Sequence, residues 1–314
     1  MSRKRKSEAA QPEAKSEQTT FSGLRGKRVL VTGAGKGIGR EICIQLAKAE
    51  AIVIAVTRTQ SDLDELAVVI GKSHSFHSLD VSVAKDLEGL VTKCGDVDML
   101  VNNAGVGKNQ HFLETSLEEY DRIMGVNVRS VFTLSQAVAK SMVKRSSPGA
   151  IVNVSSQAST VALPLHTAYC TSKAALDQLT RMMALELGPY NIRVNAVNPT
   201  VVMTDMGKRA WSDPVKASPM LARIPLGKFA EPVDVANAVL FLLSDAAAMI
   251  HGVALPIDGG FLAGGLPGVG AITFSELSAA PTNKQVARRP VTVQTEATKS
   301  SGNRNKKGKK ARGK

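Results

Sequence analysis

Between Arg28 and Ile257, short apolar β-branched runs alternate with stretches of helical periodicity, and no other feature of the chain narrows its fold as far. A run over Arg28–Thr32 meets a glycine-rich turn, and a helical pattern follows over about 37–49. Ile52–Thr57 is a second strand-like run, followed by a helix near 61–70. A weaker strand ends at Asp80, a helix covers roughly 83–94, and Met99–Asn102 is again a strand. The pattern then predicts one long helix over 117–144, a strand over 150–155 and a helix over 167–188. Strands over 192–198 and 253–257, with a helix near 233–244 between them, complete the series. Strands separated by helices pair in parallel through right-handed crossovers, which place helices on both faces of the sheet. Runs apolar throughout, such as 51–56, agree, because a parallel sheet is covered on both sides. The fold class is α/β, a doubly wound parallel sheet of the Rossmann type forming a single domain over residues 21–264. Ligands are expected at the C-terminal ends of its strands.

The flanks differ in kind. Residues 1–20 and 265–314 lack hydrophobic periodicity and are expected to be disordered basic tails, since such segments bury too little apolar surface to offset chain entropy. They also carry most of the formal net charge of +13, so the body of the protein is near neutral. The clusters RKRK at 3–6 and KKGKK at 306–310 suit a polyanion or a nuclear-localisation role, and a tail that binds nucleic acid is one reading of them. No apolar run reaches the roughly 18 residues of a membrane span. The N-terminus has no apolar signal core and mixes three glutamates with its basic residues. Three cysteines without CxxC spacing argue against a disulfide framework or a metal site, and the expected location is cytoplasmic.

The segment VLVTGAGKGIGRE at 29–41 places Gly33, Gly37 and Gly39 between a strand and a helix. A turn this tight brings backbone close to a pyrophosphate, and the helix N-terminus offers free N–H groups to it. Its context, the first strand–helix–strand unit, is the one a dinucleotide site requires. A unit that binds NAD usually carries an acid about 20 residues on. Here the second strand ends Val56-Thr57-Arg58-Thr59, and Lys36 lies inside the glycine loop. Two cations hold a 2′-phosphate where an acid would repel it, so the expected cofactor is NADPH/NADP+.

Tyr169 and Lys173 stand four residues apart on one helix face. An unperturbed phenol has a pKa near 10, and a neighbouring cation favours its ionisation, making the proton reversibly available. The preceding buried strand delivers Ser156 at its C-terminal end.

These motifs together resemble the short-chain dehydrogenase/reductase family: TGxxxGxG over 32–39, Asn102-Asn103-Ala104-Gly105, Ser156, and Tyr169 with Lys173, in order over about 22–262. The resemblance implies that Ser156 orients a substrate carbonyl, that Tyr169 is the acid/base, and that Lys173 binds the nicotinamide ribose and lowers the tyrosine pKa. It implies a fourth catalytic residue in Asn127, holding a water in the proton relay. It also places the cofactor against Ile38, Asp80, Val81, Asn103, Val202 and Thr204, beside Gly33, Lys36, Gly37, Gly39, Arg58 and Thr59. Within the family, stretches such as ALELGPYNIRVNAVNPTVVMT and RIPLGKFAE resemble the branch that reduces L-xylulose and small α-dicarbonyls such as diacetyl. That likeness implies a homotetramer and a substrate pocket of Leu163, His166, Trp211 and Met220 around Ser156 and Tyr169. Another carbonyl substrate, such as a 3-oxoacyl compound, remains the alternative.

Overall fold

The computed structural model describes residues 21–264; the two expected tails, 1–20 and 265–314, lie outside the described residues. Strands β1 (Arg28–Thr32), β2 (Ile52–Thr57), β3 (Ser75–Ser78), β4 (Met99–Asn102), β5 (Gly149–Val154), β6 (Ile192–Pro199) and β7 (Ala254–Ile257) form one sheet. Its order is β3-β2-β1-β4-β5-β6-β7, and every pairing is parallel. The connecting helices are α1 (Gly37–Lys48), α2 (Gln60–Ile70), α3 (Ala84–Cys94), α4 (Leu117–Met124), α5 (Ser130–Lys144), α6 (Thr167–Leu187), α7 (Asp205–Trp211), α8 (Pro214–Leu221) and α9 (Pro232–Leu243).

Side chains alternate across a strand, and two separate cores follow from that alternation. Val29, Val31, Val53, Val101 and Val152 pack with Ile42 and Leu46 of α1, Leu63 and Leu66 of α2, and Val235 and Val239 of α9. Their neighbours Leu30, Ile54, Leu100 and Ile151 face the other way, onto Leu87 and Leu90 of α3 and Leu134, Val138 and Met142 of α5. Both faces are thus covered, as the continuously apolar strands predict.

Polar groups also fix helices to this second face. Asn102 and Asn153 are partners in the β4–β5 register. Asn102 Nδ2 donates to Asn153 Oδ1 at 2.8 Å and to Ser135 Oγ of α5 at 2.9 Å. Asn153 Nδ2 in turn donates to Thr180 Oγ1 of α6 at 2.8 Å. All four residues are buried, where an unpaired amide is costly, so the ladder dictates where α5 and α6 sit.

Two expectations are corrected. The long helix over 117–144 is broken: a π turn, Gly125–Arg129, separates α4 from α5. The strand expected to end at Asp80 stops at Ser78. Both departures fall beside the candidate site. Replacing Asn153 by leucine keeps the volume but leaves one N–H of the Asn102 amide without its acceptor and removes the donor to the Thr180 hydroxyl. Urea denaturation is expected to show a loss of about 1–3 kcal/mol.

Candidate active site

The order of the sheet reverses between β1 and β4, and the segments leaving those two strands open a crevice at their C-terminal ends. A hydrogen-bonded clasp defines its floor. Thr32 Oγ1 accepts from the amides of Asn103 and Ala104, each at 3.1 Å. Asn103 Nδ2 donates back to the carbonyls of Thr32 at 3.0 Å and Gly33 at 3.1 Å. Gly33 and Gly37 adopt positive φ, +66° and +54°, which L side chains rarely tolerate. Gly39 meets a different demand: a Cβ there would collide with the Gly33 carbonyl oxygen. Lys36 stands at the N-cap of α1 in extended conformation, and no side chain caps the helix. The first-turn N–H groups therefore face the crevice uncapped, as a phosphate site requires. Ile38 packs on the core behind the turn.

Beside this turn lies a cleft lined by Gly33, Arg58, Asp80, Val81, Ala104 and Val126, among others. Arg58 Nη1 lies 3.7 Å from Asp80 Oδ2, with two-thirds of the arginine side chain exposed. Asp80 Oδ1 also accepts from the Ser82 amide at 2.8 Å. Burial raises the Asp80 pKa, but Ser82 and Arg58 outweigh it and hold the carboxyl below its ordinary value. Lys36 Nζ pairs with Asp62 at 3.3 Å. Thr59 is the N-cap of α2 without a side-chain capping bond. Thr204 caps α7 by accepting from the Gly207 amide at 3.1 Å, and its methyl would lie 2.9 Å from a Cβ at Gly37. Val202 packs against the core and bridges to Ala230. The residues present thus fit a dinucleotide phosphate: a cradle only glycine can form, an uncapped helix start, and two exposed cations.

The reactive side chains meet at the other end of the crevice. Ser156, buried after β5, accepts from the Ala158 amide at 3.1 Å through Oγ, which leaves its hydroxyl proton free to donate. Tyr169 enters on the first turn of α6. Burial pushes its phenol above the ordinary value, while the neighbouring Ser156 hydroxyl pulls it back down. Lys173 is buried one turn on, with Nζ donating to the Val154 carbonyl at 2.9 Å and standing 5.6 Å from the Tyr169 ring centroid. The Ser156 hydroxyl thus opposes burial at Tyr169, and the Lys173 ammonium stands one turn away. Gly107 leaves room for the Tyr169 ring, since a Cβ there would sit 3.2 Å from it.

Asn127 occupies the π turn and is fully buried. Its Oδ1 accepts from the Val106 amide at 2.8 Å. Its Nδ2 donates to the Val106 carbonyl and to Ser172 Oγ, both at 2.9 Å. Ser172, which the motif spacing does not reveal, donates to the Tyr169 carbonyl at 2.7 Å. The π turn, a local break often found at functional sites, thus ties the loop after β4 to the helix carrying Tyr169 and Lys173.

The expected substrate residues divide. His166 stacks edge-on to Tyr169 with ring centroids 6.1 Å apart, and its Nδ1 lies 2.6 Å from the Pro164 carbonyl. Leu163 is half-buried in the loop before it. Trp211 instead packs on Phe229 at 5.7 Å and under Lys216 Nζ at 5.4 Å, within the segment that follows β6. Met220 is half-buried in α8 of that same segment.

A dinucleotide crevice at the switch of a doubly wound sheet, with a serine, tyrosine and lysine at its end, defines an oxidoreductase. A family model described as "Enoyl-(Acyl carrier protein) reductase" matches residues 33–262. L-xylulose reductase of Mesocricetus auratus is 56% identical over 242 residues, 76% of this chain and 98% of that protein. D-erythrulose reductase of Gallus gallus is 53% identical over 239 residues, 76% of this chain and 97% of its own. A solved structure from Beutenbergia cavernae, assigned as an NAD(P)-dependent gluconate 5-dehydrogenase with NADP bound at low occupancy, is 36% identical. Its TM-score is 0.72, over 77% of this chain and 99% of that one. The chain belongs to the short-chain dehydrogenase/reductase family.

Gly39→Ala is expected to force the glycine turn apart. Overpacking of this kind costs about 1–3 kcal/mol, which a thermal melt reads as a lowered Tm.

Proposed function

We propose that the protein reduces small carbonyl compounds with NADPH, converting L-xylulose to xylitol and acting on α-dicarbonyls such as diacetyl. The observation that carries the reading is the convergence of Ser156, Tyr169 and Lys173 at one end of the crevice, in a chain whose relatives reduce ketoses. NADPH is held by the glycine turn of Gly33, Gly37, Ile38 and Gly39, with Arg58, Lys36 and Thr59 at the 2′-phosphate. Asp80 and Val81 lie at the adenine, and Asn103, Val202 and Thr204 toward the nicotinamide. When bound, the cofactor supplies a hydride for the carbonyl carbon.

The chain's own residues manage the oxygen. The free hydroxyl proton of Ser156 donates to the substrate oxygen. Tyr169 gives up its phenolic proton to that oxygen, and the Ser156 hydroxyl beside it works against burial to make that proton available. Lys173 presents positive charge to the ribose and to the phenolate left behind. Asn127 is the residue read as holding a water in the proton relay, and its carboxamide bonds Val106 and Ser172. Leu163, His166, Trp211 and Met220 border the substrate, His166 being supported by its contact with Tyr169.

Assembly as a homotetramer is part of the same reading. Its support is a hollow lined by Met124, Val128, Phe132 and Leu179 with Arg129 among them, Phe132 being about half exposed. Such a patch suits a second copy of the chain. None of the helices described is long and apolar enough to cross a membrane, all three cysteines are free, and the proposed location is cytoplasmic. A 3-oxoacyl substrate is the second reading; the description of the matching family model shares with it only the acyl-thioester class, since it names an enoyl chain.

A substrate panel with NADPH separates these readings. Turnover of L-xylulose and diacetyl is expected, and activity confined to an acetoacetyl thioester would replace the ketose assignment. Tyr169→Phe removes the proton donor and is expected to lower kcat by about 10²–10⁴-fold. Arg58→Ala is expected to raise KM for NADPH about tenfold or more, the worth of one charge-assisted hydrogen bond, while leaving use of NADH nearly unchanged.

A further inference from the structure

We propose that Asp177 is a positioning residue for this chemistry, its buried carboxylate keeping the Lys173 ammonium charged beside Tyr169. The inference deepens the reductase reading and rests on it for the claim that a charged lysine matters.

Asp177 follows Lys173 by four residues, on the same face of α6. It is 6% exposed, and Lys173 is 4% exposed. The carboxylate is fixed by groups from two other elements. Asn198, at the C-terminal end of β6, donates to Asp177 Oδ2 at 2.8 Å and to Ser159 Oγ at 2.9 Å. Ser159 belongs to the short helix Gln157–Ser159 that directly follows Ser156. The second oxygen, Asp177 Oδ1, is buried without a hydrogen-bond partner. A carboxylate buried only to join α6 to β6 is a costly device, since a neutral amide makes the same bond to Asn198 without the desolvation of a charge. Its charge therefore calls for a recipient: of the two cations one turn away on the same helix, Arg181 is exposed and bonded to Gln178, whereas Lys173 is buried.

Lys173 needs that help. Its ammonium donates to the Val154 carbonyl, a neutral acceptor. Burial pulls its pKa down to about 8, and Asp177 is the group that opposes the fall. On its own helix Lys173 faces Tyr169 and Asp177, with Cys170 beside the tyrosine. The loop after β4 brings Gly105, 3.5 Å from Nζ at the position a Cβ would take. The π turn brings Asn127, and β5 brings the Val154 carbonyl. Of these only Tyr169, Cys170 and Asp177 titrate, and Asp177 alone is a carboxylic acid. The sign is direct: removing its negative charge disfavours the ammonium, so the lysine loses its proton at lower pH. A neutral amine would lose both its pull on the phenolate and one N–H donor.

The test is a titration of Lys173 by NMR in the full chain labelled with [ε-13C]lysine, its signal assigned by loss in Lys173→Met. The wild-type midpoint is expected above neutrality. Asp177→Asn, which retains an acceptor for Asn198, is expected to lower it by about one unit or more, a tenfold change in proton affinity. Asp177→Glu keeps the charge and is expected to lie between the two. In parallel, the alkaline limb of kcat/KM for L-xylulose or diacetyl should move to lower pH in Asp177→Asn. A merely structural carboxylate would lower Tm and leave both midpoints in place, and that result overturns the proposal. So does a wild-type lysine already neutral at neutral pH, a measurement that needs no variant to fold. A wild type that shows the shifted midpoint but reduces neither carbonyl would remove the substrate reading and leave the electrostatic one standing.

Discussion

The parallel pairing of β1 with β4 is the constraint on which the rest of the site depends. Chain that leaves β1 turns to one face of the sheet, and chain that leaves β4 turns to the other, so their ends part and leave a crevice. The Thr32–Asn103 clasp closes the bottom of that gap with four hydrogen bonds made by two side chains. The glycine turn can approach Asn103 and Thr204 so closely only because no side chain intervenes. A cofactor lying in this crevice meets uncapped N–H groups at one end and the Ser156–Tyr169–Lys173 cluster at the other.

Helix α6 is the second structural commitment. It carries Tyr169, Lys173 and Asp177 on successive turns, and it is held to the sheet by buried polar bonds as well as by apolar packing. Asn153 reaches Thr180, Ser155 Oγ donates to the Lys173 carbonyl at 3.3 Å, and Asn198 reaches Asp177. Directional bonds of this kind specify rotation and register more sharply than apolar contact, which tolerates sliding. A phenol and an ammonium separated by one helical turn keep their relation to Ser156 because the helix cannot turn about its axis.

Much of this was legible before folding. Alternating runs announced the doubly wound sheet, and Gly33, Gly37 and Gly39 announced the phosphate turn, because both depend on local periodicity and local backbone freedom. Tyr169 and Lys173 were legible for the same reason, since helical spacing alone puts them on one face. The π turn at Asn127 was not: its side chain is bound by Val106 and Ser172, 21 and 45 residues away, and no local pattern encodes such partners. Trp211 was expected in the substrate pocket by resemblance, and its ring contacts are Phe229 and Lys216. The partners of Lys36 and Arg58, Asp62 and Asp80, were likewise set by how α2 and the end of β3 return beside the glycine turn.

By itself, then, the sequence determined the class of fold, the position of the glycine turn and the pairing of Tyr169 with Lys173 on one helix face. Each follows from residues within one or two turns of one another, where covalent geometry and hydrogen bonding leave few alternatives. Tertiary structure alone decided what surrounds that pair. The pKa of Tyr169 is governed by burial and by Ser156, and that of Lys173 by burial against Asp177. Desolvation is a property of everything packed around a group, and only the closed fold supplies it.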